Sequence, residues 1–204
     1  MPISLAFATV LALAAQDGPM VTARVVPTES AESIRQREAM AYAYPIGPGV
    51  PTDDLGFLAY CDGLITGHIQ LGETLGAGAD EELMRLGRLE QQDFESARVV
   101  GAARSTTTQV AAANAAYERA MTRWQPYLSN TNTDERQLAY DLFFGLPGRC
   151  EHAARRVRAN ITTPPATLEE VGIAVEEVLP PELIAAEAQG AAGAEAPSTP
   201  PTGN

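Results

Sequence analysis

Apolar positions between residues 53 and 160 recur every three or four residues, the spacing of helices that each bury one face. Leu58, Cys61, Ile65, Gly72 and Leu75 make the clearest stripe, with His68 on it. Thr52 is placed to open this helix, and Asp53 and Asp54 stand in its first turn, where acids suit the helix dipole. The stretch GAGAD at 76–80 ends it. A second helix is predicted from about Asp80, with Leu83, Leu86, Leu89 or Glu90, Phe94 and Val99 as its core face. Ser105 to Thr108 read as a break or cap. A third helix follows to about Tyr127, with Val110, Ala113, Tyr117, Met121 and Trp124 pointing inward. Pro126 and SNTNT at 129–133 form the next loop, and Thr133 caps a fourth helix that buries Leu138, Leu142 and Phe143. Pro147 starts a fifth, over about 148–159, that carries Cys150, Ala153, Ala154 and Val157 and ends in Arg155, Arg156 and Arg158.

No run alternates with period two, and no segment repeats at a fixed period. The expectation is an all-α bundle of four to five core helices spanning residues 53–160. Before it, residues 29–42 have helical composition, and YPIGPGVPT at 44–52 is a Pro/Gly loop. After it, residues 161–188 read as a linker and short acidic helices. Thr167-Leu168-Glu169-Glu170 is a capping box that predicts a helix to about Val178. Residues 189–204 are low in complexity and are expected to be a disordered tail.

The N-terminus changes the setting. MPISLAFATVLALAA is uncharged, apolar and rich in alanine, and it is too short to span a bilayer. It reads as a signal peptide over residues 1–15, with an A-x-A cleavage pattern at Ala12-Leu13-Ala14 and Ala15 as the alternative site, followed by residues 16–52 as a leader, short helix and loop. The expected location is periplasmic or extracellular. No later stretch is long enough for an integral membrane span. Export gives the two cysteines, Cys61 and Cys150, a meaning: an isolated pair in an oxidising compartment is most simply one disulfide.

Charge then narrows the partners. The 14 basic residues are all arginine, against 26 acids, for a net charge of −12. Seven of the acids and none of the arginines fall in residues 164–204. Nucleic acids and anionic membrane surfaces require a basic footprint that this balance does not supply. The absence of lysine removes Schiff-base and lysine-nucleophile chemistry.

No catalytic signature, cofactor motif or metal-ligand spacing stands out. Cys61 and His68 are seven residues apart, about 10 Å along a helix, too far to share one zinc ion, and Cys150 and His152 diverge around a helix. There is no phosphate-binding glycine loop, no Cys-x-x-Cys-His and no Gly-x-Ser-x-Gly elbow. Paired acids at 53–54, 81–82, 169–170 and 176–177 fall at helix starts or on solvent faces. Glycine remains. Gly63, Gly67 and Gly72 surround His68 in a helix, where each glycine costs up to about 1 kcal/mol. Close approach of a neighbouring helix, with a Phe or Trp in the notch, is the first expectation; a ligand groove over Gly63, Gly67, His68 and Gly72 is the second.

Cys61-Asp62-Gly63-Leu64-Ile65-Thr66-Gly67 resembles the Cys-x-Gly-x-x-x-Gly helix of small exported α-helical immunity proteins that neutralise cell-wall effectors of type VI secretion. In that family a second cysteine follows soon after, whereas here it stands at Cys150. The resemblance implies an exported, disulfide-bonded helical domain. The sequence thus points to a binding or envelope-structural module whose partner is a protein or envelope component. The alternatives are a hydrolase or lyase of envelope polymers using His68 with Asp62 or Glu73, and an immunity-like inhibitor.

Overall fold

The computed structural model describes residues 29–78, 81–142 and 146–180. Residues 1–28, where the signal peptide and leader are expected, Phe143 and the expected C-terminal tail lie outside the described residues. Within them the protein is all-α: helices α1 (Ala31–Ala43), α2 (Asp54–Leu75), α3 (Glu82–Ala102), α4 (Thr107–Thr122), α5 (Gln125–Leu128), α6 (Thr133–Asp141), α7 (Arg149–Ala159) and α8 (Val175–Val178), with a single 3-10 turn at Glu169–Val171 and no strand.

The centre of the bundle is α2, against which α3, α4, α6 and α7 pack. It is buried around most of its circumference; away from its ends only Gln70 is exposed and Leu64 half-buried. A helix of that composition is stable only when neighbours cover it on all sides. Local chemistry fixes its ends. Asp53, one residue after the expected cap, accepts the Gly56 N–H at 2.8 Å. Gly76 closes it in the left-handed conformation (φ 83°), a geometry that glycine adopts without strain. Thr106 and Gln109 form a full capping box on α4, and Asn132, not Thr133, caps α6.

The expected covalent link is present. Cys61 and Cys150 form a disulfide with α-carbons 5.9 Å apart, joining the middle of α2 to the first turn of α7. Around it lies one main core, including Phe57, Leu58, Ile65, Phe94, Trp124 and Tyr140. A smaller cluster of Ala39, Leu168 and Val171 seats α1 against the 3-10 turn.

Several predicted faces are turned. On α3, Met84, Gly87, Phe94, Ala97 and Gly101 are buried, while Leu83, Leu86 and Leu89 are exposed and Val99 is 70% exposed. The reason is steric. α3 lies so close to its neighbours that a β-carbon on Gly101 would stand 2.6 Å from Val157 and 2.9 Å from Leu55, while at Gly87 one would just touch Ile65 and Ile69 at 3.5 Å, leaving no room there for a larger side chain. Small residues win that face over leucines. On α6, Leu138 is 57% exposed and Leu142 is also exposed; Tyr140 is the side chain that enters the core. The third helix stops at Thr122, and Pro126 starts the last residues of the segment as a separate turn, α5. The 167–178 capping box forms, with Thr167 and Glu170 bonded to each other at 2.8 and 3.2 Å, but Gly172 at φ 71° breaks the predicted helix into the 3-10 turn and α8.

Candidate functional site

The glycine stripe lies along the seams between α2 and its neighbours. A β-carbon on Gly63 would meet the Tyr117 carbonyl oxygen at 2.5 Å, so α4 crosses there at backbone distance. One on Gly67 would overlap the Trp124 indole, and one on Gly72 would come within 2.7 Å of both Met84 Sδ and the Tyr140 ring. The space over Gly63, Gly67 and Gly72, read from sequence as a possible ligand groove, is occupied by these groups.

His68 is 2% exposed and lies in the same seam. Its ring stacks on Tyr140 with centroids 4.5 Å apart and meets Trp124 at 5.8 Å, and Nε2 lies 3.2 Å from the Tyr140 carbonyl oxygen, to which it donates. Burial lowers its pKa, which keeps the imidazole neutral. The two acids considered as its partners are engaged elsewhere: Asp62 pairs with Arg98, and Glu73 with Arg88 at 2.7 Å. Asp62 is itself buried, and burial raises its pKa against the pull of Arg98. Tyr140 is pushed up to about 12 by burial and by Glu81, which accepts its hydroxyl at 3.2 Å. No group of three or more potential metal ligands converges among the described residues, and no described helix is long and apolar enough to cross a membrane.

A polar network that the sequence reading did not anticipate lies between α1, α2 and α7. Arg156 is 4% exposed. Its guanidinium donates to Glu38 at 2.8 Å, to Asp54 at 2.8 Å and to the Thr163 carbonyl oxygen. Arg155 reaches the other Glu38 oxygen at 2.6 Å, and Tyr42 donates to Asp54 at 2.5 Å. Burial and the Asp54 carboxylate together push the Tyr42 hydroxyl well above its usual range. Charge-assisted bonds of this kind hold α1 in a fixed place over α2 and α7.

That placement opens a cavity. Pro45 ends α1 and Gly49, at φ 78°, turns the chain, so it swings out and returns to α2 as a loop. Between α1, this loop, α2 and the start of α7 lies a pocket of about 650 Å³, within the range of small-molecule sites. Its apolar walls are Met40, Ile46, Val50, Phe57 and Leu64. Phe57, Tyr60 and Leu64 stand at i, i+3 and i+7 on a face of α2 different from the cysteine stripe. Sequence reasoning followed only the Cys61–His68 stripe and so missed this second face, although an all-round apolar helix was the available signal. Its other members come from sites up to about a hundred residues apart and carry no local motif.

The polar lining is Arg37, Arg123, Arg149, Glu151 and His152, with the Tyr60 hydroxyl. Arg37 is shared between Glu29 at 2.6 Å and Glu151 at 3.5 Å. Arg123 donates to the Tyr60 hydroxyl. Arg149 donates to the Thr52 carbonyl oxygen at 2.7 Å and stacks over Tyr42 and Phe57, 4.2 and 4.7 Å from the ring centroids. His152 is buried, and that burial lowers its pKa. Chemically, the pocket offers an apolar hollow with a cationic edge. No protein-family model, curated protein or solved structure matches this chain.

Proposed function

We propose that the protein is an exported helical binding module that holds a small, largely apolar ligand between α1, the Pro/Gly loop, α2 and α7. The observation that carries this reading is the 650 Å³ pocket with walls of Met40, Ile46, Val50, Phe57 and Leu64. Apolar residues at a surface are common singly, but a concave apolar set from two helices and a loop is a binding feature. Export is supported by the apolar N-terminal stretch and by the Cys61–Cys150 link, which persists in oxidising compartments. A binding role also agrees with a histidine that is buried, stacked and bonded to a backbone carbonyl.

The test is native mass spectrometry of protein purified gently from its own envelope or medium. The polypeptide is expected to begin after Ala15, to be two hydrogens lighter than the dithiol, and to carry a small-molecule adduct. A Leu64→Trp variant, which fills the pocket, should lose the adduct. An adduct-free protein with a measurable turnover on envelope polymers, abolished by His68→Ala without loss of fold, would overturn the reading in favour of a hydrolase or lyase.

A further inference from the structure

The charge around the pocket runs against that of the molecule. The protein as a whole has nearly two acids for each arginine, yet the pocket edge has three arginines and one acid. Arg37 is neutralised by its two glutamates. Arg123 and Arg149 are different: among the described residues neither is in an ion pair, and each donates to an uncharged oxygen, the Tyr60 hydroxyl and the Thr52 carbonyl. Arg149 Nε is also buried with no hydrogen-bond partner. An arginine held in place by ring stacking, with no carboxylate to satisfy it, is preorganised for an incoming anion. The first turn of α7 adds to this. Gly148, Arg149 and Glu151 line the pocket, and Gly148 supplies no side-chain cap, so the positive end of the helix dipole lies at the same edge.

We propose that the pocket takes an anionic amphiphile: an unbranched apolar chain laid against Phe57, Val50, Leu64 and Met40, with a single carboxylate or phosphate head held by Arg123 and Arg149. This rests on the pocket being the binding site and adds the class of ligand. The side chains of Met40, Ile46, Val50, Phe57 and Leu64 offer no hydrogen bond to a sugar or a peptide, whose polar groups would be left unpaired against them. A cationic amphiphile would face two uncompensated arginines. The head recognises charge and not a particular acid, so fatty carboxylates and alkyl phosphates share the chemistry.

The experiment is titration calorimetry of the full mature protein, below micellar concentrations, with decanoate, decyl phosphate, decanol, decyltrimethylammonium and inorganic phosphate. Methyl NMR of the same protein locates the chain without any substitution. Decanoate or decyl phosphate should bind at least about tenfold more tightly than decyltrimethylammonium, roughly the effect of one charge-assisted bond. The shifted methyls should be those of Met40, Ile46, Val50 and Leu64. In Arg123→Gln/Arg149→Gln, the ratio of decanoate or decyl phosphate affinity to decyltrimethylammonium affinity should fall to near unity. Whichever of the two anionic heads binds better identifies the source class. Equal binding of anionic, neutral and cationic chains would overturn the ligand class and leave the apolar pocket as the binding site. Inorganic phosphate binding as tightly as decyl phosphate would overturn the amphiphile. No binding of any decyl compound, or shifts confined to methyls outside the pocket, would overturn both this inference and the binding function.

Discussion

Gly67 inverts the usual rule for glycine in a helix. Alanine normally gains up to about 1 kcal/mol at such a position. Here its β-carbon would enter the Trp124 ring, which is itself wedged against His68. Overpacking of a rigid ring commonly costs about 1–3 kcal/mol, and more where nothing can move. Gly67→Ala is therefore expected to lower unfolding free energy by about 2 kcal/mol or more, read from the urea midpoint with an unchanged slope. The glycines were visible in the sequence as a cost that had to be compensated, and so was the aromatic filler. The faces of α3 were not. Hydrophobicity ranks Leu83, Leu86 and Leu89 above Gly87, Ala97 and Gly101, but the distance between helices ranks by size, and that distance is set by partners far along the chain.

Between elements, the Arg156 network does what apolar packing does elsewhere. α1 contributes only Ala39 and part-buried neighbours to an apolar contact, so its position over α7 depends on Glu38 meeting Arg155 and Arg156. Removing one member of a buried pair leaves the other charge uncompensated, typically at a cost of about 3–5 kcal/mol. Arg156→Ala should show this as early loss of amide-exchange protection in α1 ahead of α2, with Arg156→Lys recovering part of it, since lysine restores the charge but not the fork of bonds. From sequence, the helices themselves were readable to within a few residues because caps such as Thr106 and Asp53 act locally. The burial of Arg156 was not, because three arginines at a helix C-terminus look like dipole partners until Glu38 and Asp54 arrive from over a hundred residues away. The pocket, which depends on the same docking, was hidden for the same reason.

For the molecule as a whole, two buried histidines set a pH limit. Burial holds the pKa of both His68 and His152 below the ordinary value of about 6.5. The unfolded chain therefore takes up protons first as the pH falls. The stability they allow is full above about pH 6.5 and declines as the pH drops through that value toward the folded pKa values. Asp62 acts in the opposite sense, since burial raises its pKa and its protonation favours the native state as the pH falls through the folded value. Melting temperature should fall between about pH 7.5 and about pH 5, and the fall should be smaller in His152→Gln, which cannot take up the extra proton. An equal fall in that variant would assign the pH dependence to other groups.

The sulfur link closes residues 61 to 150 into a covalent ring that contains α3, α4, α5 and α6. A protease that cuts the exposed turn at 129–132 opens this ring but releases nothing, because both halves stay tethered and remain packed on α2. A nick there separates into two fragments only after a reductant opens the Cys61–Cys150 bond, so durability against proteolysis is tied to thiol chemistry as well as to the loops.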